Sequence, residues 1–372
     1  MARSLIPEPI AILPWRVLLA LTLLVCFAAA VLYSAAGGSF DQYALPHVIR
    51  FALFVLMAVA ISYVPANFVR WAVYPVYGAV CLMLILVEAL GHISGGSQRW
   101  LNLGPLVLQP SELMKPTIVL VLASFYNTLP PAMIPNWRAL VPPAALIGFP
   151  MILVLLQPDL GTALAITFVG AVVMFLAGLP VKWFLGAGGA GIVAAPLAYF
   201  FVLHDYQRAR VTTFLNPESD PLGTGYHITQ SQIAIGSGGI LGKGFGNGSQ
   251  SHLDYLPEAH TDFVFATMAE EWGLIGGLFV LLVFGVVLRW GLNVARRAPD
   301  RFSRLLAGGM VATIFFYAAI NMMMVMGLAP VVGIPLPFLS YGGSSMMTNM
   351  ICIGTLMMVD RWSRRVRSPG LS

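Results

Sequence analysis

The sequence predicts an all-α, polytopic membrane protein with about ten transmembrane helices and one long outward-facing loop. Three observations predict it: 58% of the 372 residues are hydrophobic, only 9% are charged, and the mean hydropathy is +0.83. Soluble domains carry about 25% charged residues, so this chain has too few charges to cover a water-facing surface. A soluble enzyme and a disordered chain are therefore both excluded.

The predicted spans are apolar stretches long enough to cross a hydrocarbon core about 30 Å thick, which takes about 20 residues in a helix. The charge-free stretch from Leu305 to Val359 is interrupted by glycines and prolines, which predicts two spans joined by a buried loop. The ten spans are Val17 to Ala36, Phe51 to Val64, Trp71 to Leu90, Leu113 to Leu129, Ala139 to Leu156, Leu160 to Leu179, Trp183 to Leu203, Phe263 to Leu288, Leu305 to Gly327 and Gly343 to Val359.

The basic residues predict the orientation of these spans. Ten spans place both termini on one side, and the Lys and Arg counts over alternate connections decide which side is cytoplasmic. One set of connections, which includes both termini, holds 14 of the 20 Lys and Arg residues and the other set holds 6. Both termini are therefore predicted to be cytoplasmic. The first apolar run exceeds the signal-peptide core of about 7 to 15 residues, so we expect it to stay as a membrane helix.

The placement of the basic residues also argues against a nucleic-acid partner. The net charge of +5 and the pI near 9.2 are explained by the topology bias alone. Three cysteines, Cys26, Cys81 and Cys352, lie in apolar runs and are predicted to be buried thiols rather than a disulfide framework.

No spacing of His, Cys, Asp or Glu residues matches a known metal-binding motif, so the sequence does not identify metal ligands. A divalent cation (Mg or Mn) remains an open cofactor, because Mg²⁺ needs only one or two protein oxygens; no organic cofactor is indicated.

The whole chain, residues 1–372, is interpreted as one membrane domain that contains a long extracytoplasmic loop at residues 204–262. Loops of this length are usually functional or disordered, and the apolar side chains within this one favour order. Its glycine run from Gly236 to Gly248 fits neither phosphate-binding fingerprint. Two interpretations stay open for the run: a flexible loop, or backbone amides that approach a ligand with Lys243 as the cation.

Acidic residues lie at the outer start of three of the spans. Asp262 follows Thr261 where the long loop re-enters the membrane. Either Thr261 caps the helix and Asp262 complements its dipole, or Asp262 presents a carboxylate to a site. Asp159 is either a routine helix opening or a site residue. Glu112 and Lys115, at i and i+3, are either a salt bridge or part of a site.

Three acidic helix starts on the same side suggest a mixed-charge pocket at the outer leaflet, suited to an anionic lipid headgroup. The basic residues that would join it are Lys115, Arg50, Arg99, Arg208 and Arg210. The segment Ser340 to Ser345 contains no nucleophile elbow, and either packs helices closely or lines a cavity with backbone.

Several motifs together resemble the shape, elongation, division and sporulation (SEDS) family of membrane proteins. Within that family the elongation branch, RodA, is more similar than the division branch, FtsW, because of His204-Asp-Tyr-Gln-Arg208 and Pro217-Glu-Ser-Asp-Pro-Leu-Gly223. The other matching segments are Gly225-Tyr-His, Gln230-Ser, Gly236-Ser-Gly-Gly, Leu256-Pro-Glu-Ala-His-Thr-Asp-Phe263, Gln109-Pro-Ser-Glu, Gln157-Pro-Asp-Leu-Gly-Thr and the late Ser-Tyr-Gly-Gly-Ser.

The resemblance implies a peptidoglycan glycosyltransferase that polymerises lipid II at the outer face of the bacterial cytoplasmic membrane during cell elongation. It implies a class B penicillin-binding protein as partner, besides lipid II and the nascent glycan strand. The aspartate of the family's His-Thr-Asp-Phe motif, considered essential for polymerisation, falls on Asp262. Glu112, Lys115 and Asp159 are implied as cavity residues, with Arg50, Arg208 and Arg210 placed less securely.

The chemistry suggests roles for these residues. Asp262 would take the proton from the acceptor sugar hydroxyl, and direct displacement of the polyprenyl diphosphate would invert the anomeric carbon. Lys115, Arg50, Arg208, Arg210 or a divalent cation would stabilise the leaving group. The alternatives are a lipid II flippase, for which we expect ionisable groups and broken helices near the bilayer midplane, a non-catalytic morphogenetic scaffold, and a division polymerase of the FtsW branch.

Overall fold

A computed structural model describes residues 13–90, 92–94, 97–102, 107–201, 205–216, 223–252, 255–256 and 258–367. Most of the Pro217 to Gly223 motif, together with residue 204, lies outside the described residues. The helices are α1 (Trp15–Ala35), α2 (Leu45–Ser62, preceded by a π turn, Phe40–Ala44), α3 (Ala66–Leu90), α4 (Pro110–Thr128), α5 (Val141–Leu156), α6 (Leu160–Leu176), α7 (Val181–Phe201), α8 (Asp205–Leu215), α9 (Thr224–Gly238), α10 (Ser249–His252), α11 (Val264–Arg297), α12 (Arg301–Val325) and α13 (Gly343–Arg367).

Each of the ten predicted spans coincides with a helix, namely α1 to α7 and α11 to α13. Seven of these helices, some with a flanking turn, are long and apolar enough to cross a membrane, and α6 is apolar but only 17 residues long. The helices α4 and α13 carry more polar residues. In α4 these polar residues are kept away from lipid, because the helix packs against α3, α5, α6 and α12 and buries 13 of its 19 residues.

Contacts between connections define one end of the bundle. Arg70 and Asp300 form an ion pair of 2.6 Å, and the Asp300 side chain also caps α12 by accepting from the Ser303 amide. Arg301 donates to the main-chain oxygens of Leu129, just after α4, and Ala177, just after α6. These alternate connections therefore meet at one end, as the span count predicts.

The opposite end carries the two long connections. Between α3 and α4 lies a small antiparallel sheet of β1 (His92–Ser94), β2 (Ser97–Asn102) and β3 (Val107–Leu108). The sequence did not predict this sheet. The long loop contains α8, α9 and α10, and α9 packs along α11, so the expectation of order holds for its described part.

The helix α11 is broken at Gly273, which has φ 59° and ψ −154°. A neighbouring strip of main chain, residues 239–244, fills the break. Gly239 accepts a hydrogen bond from the Leu274 amide at 2.9 Å, and the Lys243 amide donates to the Glu270 carbonyl at 2.9 Å. The backbone groups that a broken helix leaves unpaired are thus satisfied inside the protein, as a membrane requires. A broken helix was expected of a flippase, so the break is an observation that fits that alternative.

The loop between α12 and α13 is buried, as predicted: Val332, Ile334, Leu336 and Phe338 are all less than 5% exposed. The prediction of three buried thiols is wrong for Cys26, which is exposed on α1, whereas the other two cysteines are buried. An apolar stretch of a membrane helix presents some of its faces to lipid, so an apolar sequence does not by itself place a side chain in the protein core.

Candidate active site

A polar cavity of about 440 Å³ lies at the end of the bundle that carries the long loop. Five of the residues predicted for the pocket line it: Arg50, Arg99, Glu112, Asp159 and Asp262. Its other lining residues are Trp100, Gln109, Thr162, Glu258, Thr261, Gly333, Pro335, Tyr341, Gly342, Gly343, Ser344 and Ser345.

Asp262 lies in the turn before α11 and is half-buried. The N-cap of α11 is Phe263, with no side-chain capping bond, and the Thr261 hydroxyl donates to the Glu258 carboxylate at 2.7 Å. The interpretation of Thr261 as the helix cap is therefore wrong. The Asp262 carboxylate accepts no hydrogen bond from any described residue, and it lines the cavity.

The surroundings of Asp262 make it a stronger base. Burial, which is the largest effect, and the negative charge of Glu258 together raise the pKa of Asp262 to about 6, against the opposing positive charge of Arg210. Desolvation disfavours the charged form of a carboxyl group, and a like charge nearby acts in the same direction. These effects outweigh the lowering expected from a helix N-terminus. A base whose pKa lies near the working pH is suited to proton transfer.

Asp159 both caps a helix and lines the cavity. As the N-cap of α6, its carboxylate accepts from the Thr162 amide and hydroxyl, each at 3.0 Å. Gln109 donates to it at 3.2 Å, and Arg99 lies 3.9 Å away. The helix-opening interpretation is confirmed, and the capping bonds leave this carboxylate less available for proton transfer than that of Asp262.

Glu112 and Lys115 form the salt bridge that their spacing allows, with 2.5 Å between Oε1 and Nζ. Lys115 is fully buried and also donates to the Tyr317 hydroxyl at 2.6 Å, and that hydroxyl bonds the second oxygen of Glu112. Glu112 lines the cavity, whereas Lys115 lies behind it. The cation of this pair is thus turned toward the protein, where it neutralises the glutamate.

Arg50 reaches the cavity from α2. Its Nη2 donates to the Tyr341 hydroxyl at 3.1 Å, and the guanidinium lies 4.6 Å from the centre of the Tyr341 ring. The Tyr341 amide donates to the His260 carbonyl, and the His260 ring stacks on Tyr43 at 4.1 Å. Arg50 and the turn that carries Asp262 are therefore joined through one tyrosine.

The remaining predicted cations lie outside the cavity lining. Lys243 pairs with the buried Glu270 at 2.6 Å and holds the glycine run against α11. Arg208 donates to the main-chain oxygen of Phe200 at the end of α7. Arg210 acts on the site through its charge, by lowering the pKa of Asp262. The structure thus separates Lys243 and Arg208 from the cavity.

Comparison with known proteins identifies the family. A family model for FtsW, RodA and SpoVE, described as cell cycle proteins, matches residues 10–365. The chain belongs to this SEDS family. It is 44% identical to the peptidoglycan glycosyltransferase MrdB of Escherichia coli K12, over 93% of this chain and 92% of MrdB. It is 38% identical to the stage V sporulation protein E of Bacillus subtilis, over 76% of each chain.

Solved structures of SEDS proteins share the fold. The crystal structure of the Thermus thermophilus rod shape determining protein RodA matches with a TM-score of 0.70 and 29% identity, covering 93% of this chain and 96% of RodA. A chain from a peptidoglycan synthase complex, studied for its structural coordination of polymerization and crosslinking, matches with a TM-score of 0.81 and 32% identity. That match covers 94% of this chain and 98% of the other.

Sequence reasoning missed several cavity residues of this SEDS protein, notably Trp100, Glu258 and Tyr341. Trp100 lies on β2, in a loop whose sheet carries no strong sequence signal. Glu258 stands four residues before Asp262 in the quoted Leu256 to Phe263 segment, and Tyr341 stands in the late Ser-Tyr-Gly-Gly-Ser motif. The motifs therefore contained a signal, but only the tertiary structure brings them to one cavity.

The cavity can be tested for its fit to a divalent cation. Among the residues that the structure describes, no group of three or more His, Cys, Asp or Glu side chains forms a metal site. Two carboxylates that line the cavity, Asp159 and Asp262, supply the hard oxygen donors that Mg²⁺ prefers. This set fits a cation that takes most of its ligands from water and from a substrate diphosphate.

Proposed function

We propose that this chain polymerises lipid II into glycan strands during cell elongation, with Asp262 as the general base. It is a peptidoglycan glycosyltransferase of the SEDS family, in line with its relatives MrdB and FtsW, which carry that name. One observation carries the assignment of the base: the Asp262 carboxylate lines the polar cavity, has no hydrogen-bond donor among the described residues and has a pKa of about 6.

The proposed reaction joins two sugars. The Asp262 carboxylate accepts the proton of the acceptor hydroxyl as its oxygen attacks the anomeric carbon, and the bond from that carbon to the diphosphate oxygen breaks. The electron pair leaves with the polyprenyl diphosphate, and attack from the opposite face inverts the anomeric centre. Proton transfer by a positioned base contributes about 10² to 10⁴ in rate.

The leaving diphosphate carries negative charge that the site must offset. Arg50 and Arg99 line the cavity, whereas Lys115 is committed to Glu112 and Tyr317. Arg99 donates to the main-chain oxygens of Gln157 and Pro158. We therefore assign charge stabilisation chiefly to Arg50 and a structural role to Lys115. A divalent cation, when bound, would add Lewis-acid stabilisation of the diphosphate, with Asp159 or Asp262 as its protein ligands.

The proposed location is the bacterial cytoplasmic membrane, with the cavity on the outer side and both termini in the cytoplasm. The excess of Lys and Arg at the opposite end of the bundle supports this orientation. A class B penicillin-binding protein is the proposed partner, supported by the similarity to a chain from a complex that coordinates polymerization and crosslinking.

The flippase alternative has one structural argument in its favour, the break in α11, since transporters use broken helices at their substrate sites. Here the break is filled by the main chain of residues 239–244, and Gly273 is not among the residues that line the polar cavity. The filled break therefore favours a structural role for this part of α11 over a role as a transport site. A scaffold would tolerate loss of the Asp262 charge, so polymerisation and translocation measured on the same proteins separate the three functions.

The test is lipid II polymerisation by the purified protein and its Asp262→Asn variant, each with Mg²⁺ and with a chelator. We expect Asp262→Asn to abolish strand formation while the melting profile stays cooperative. Asp360→Asn makes the same chemical change on α13, outside the cavity lining, and should polymerise normally. Wild-type activity in Asp262→Asn would remove the base assignment. Lipid II translocation without polymerisation by the wild type would favour the flippase.

A further inference from the structure

The first turn of α13 presents unpaired backbone donors to the polar cavity. The first hydrogen bond of this helix runs from the Met346 amide to the Gly342 carbonyl, at 3.0 Å. The preceding amides, from Gly343 to Ser345, have no acceptor in the described part of the chain, and all three residues line the cavity. Amides at a helix N-terminus point along the axis and favour an anion.

Ser345 adds a second, independent observation. The residue is only 4% exposed, it lines the cavity, and its hydroxyl has no hydrogen-bond partner within the described ranges. A buried hydroxyl without a partner costs free energy, so such groups in proteins usually bind water, an ion or a ligand. The hydroxyl therefore indicates a ligand at this turn.

Arg50 lies beside the same turn. A Cβ atom placed on Gly343 would lie 3.7 Å from the Arg50 Nε and 3.8 Å from its Cζ. The guanidinium donates one hydrogen bond to the Tyr341 hydroxyl, and its remaining N–H groups are available for an anion. The other cavity arginine, Arg99, instead donates to the main-chain oxygens of Gln157 and Pro158. Positive charge that can bind a ligand is thus concentrated near α13.

We propose that Arg50 and the Gly343–Ser345 turn form the diphosphate subsite of the cavity. This inference rests on the proposed function, because the reaction there releases a polyprenyl diphosphate. Three backbone amides, one hydroxyl and a guanidinium match the several oxygens and the negative charge of that group. The subsite holds the diphosphate against the helix N-terminus while Asp262, on the same cavity, faces the acceptor hydroxyl.

Binding is measured separately from catalysis. The probe is farnesyl diphosphate, a short prenyl diphosphate, titrated into detergent-solubilised Asp262→Asn protein. Adding Ser345→Ala, which removes the hydroxyl, should raise the Kd about tenfold, the effect expected for a hydrogen bond to a charged group. Gly343→Ala should raise it by a similar factor, because the added methyl group would lie 3.7 Å from the Arg50 Nε and take space that the diphosphate needs.

A matched control lies one turn further along α13. The Thr348 hydroxyl is also fully buried and without a described partner, but Thr348 does not line the cavity. Thr348→Val should leave the Kd unchanged. The melting temperature gives a second readout: Ser345→Ala removes an unsatisfied group and Gly343→Ala adds a helix-favouring residue, so neither should lower it.

The same three substitutions in the active protein connect the subsite to the reaction. Ser345→Ala and Gly343→Ala should raise the KM for lipid II, with Thr348→Val at the wild-type value. An unchanged Kd and KM in both variants would overturn the subsite, even if the wild type polymerises lipid II. Loss of binding together with a lowered melting temperature would assign both residues to the fold and also overturn it. If the wild type fails to polymerise, the proposed function falls, and the Kd comparison still decides the subsite.

Discussion

The Asn321 side-chain amide lies 2.9 Å from the main-chain oxygen of Asp262 and 2.8 Å from that of Ile334. Asn321 is fully buried near the C-terminal end of α12. One side chain thus ties the turn that carries the base to the buried loop before α13. The position of Asp262 depends on α12 although no residue of that helix lines the cavity.

Replacement of Asn321 should therefore weaken both stability and turnover. Asn321→Ala leaves two carbonyl groups without this donor, which we expect to cost about 1–3 kcal/mol of stability and to lower kcat with little change in KM. Thr313→Ala is the control on the same helix, because the Thr313 hydroxyl bonds only within its own helix. Steady-state polymerisation and thermal melting check both variants; equal kcat values in the two would contradict a positioning role.

The pH dependence of polymerisation should report Asp262. The base must be ionised, so the rate should fall as the pH drops through about 6. Glu258→Gln removes a negative charge, lowers the pKa of Asp262 and should move this acidic limb to lower pH. Arg210→Gln removes the opposing positive charge and should move it to higher pH. A limb that stays in place in both variants would argue against Asp262 as the titrating group.

The same raised pKa predicts a pH-dependent stability. A carboxyl group whose pKa is higher in the folded than in the unfolded state contributes stability at low pH, and loses that contribution as the pH rises through the folded pKa. Asp262→Asn should therefore melt at a higher temperature than the wild type at pH 7.5, and the difference should shrink toward pH 4. Melting curves over this range measure it, and a destabilised variant at pH 7.5 would contradict the prediction.

The Glu112 and Lys115 pair should behave as a structural unit. Lys115→Met leaves a buried carboxylate without its cation, and breaking such a pair costs about 3–5 kcal/mol. The double change with Glu112→Gln removes both charges and should recover much of that stability. Thermal melting of the single and double variants tests this. A Lys115→Met protein with wild-type stability but slow turnover would instead return Lys115 to leaving-group stabilisation.

Two glycines of α11 offer a matched test of the broken helix. A Cβ on Gly273 would lie 2.4 Å from the Gly242 nitrogen, at a positive φ, whereas a Cβ on Gly285 meets nothing within 4 Å. Gly273→Ala should lower the melting temperature sharply, since both the clash and the backbone conformation oppose it. Gly285→Ala should keep or raise it, because alanine favours the helix by about 0.5–1 kcal/mol. Similar melting temperatures would mean that the break is not held as described.

Much of the architecture was predictable because a hydrocarbon core demands long apolar helices whatever their neighbours are. The ten spans, the buried loop before α13 and the salt-bridge spacing of Glu112 and Lys115 follow from local rules. Asp262 was marked both by its place at a helix entry and by a family motif. The sheet at β2 and the break at Gly273 were not predictable, because main-chain partners distant in sequence stabilise them.

The sequence by itself determined that this protein lies in a membrane, which stretches of the chain cross it, and that acidic residues lie at the outer start of three spans. Only the tertiary structure decided which charged residues face a common cavity. Arg50 and Asp159 line it, Lys115 turns away toward Tyr317, and Lys243 pairs with Glu270. The physical reason is that apolar burial sets the length and depth of each helix, whereas its rotation and its polar partners depend on the packing of all the others.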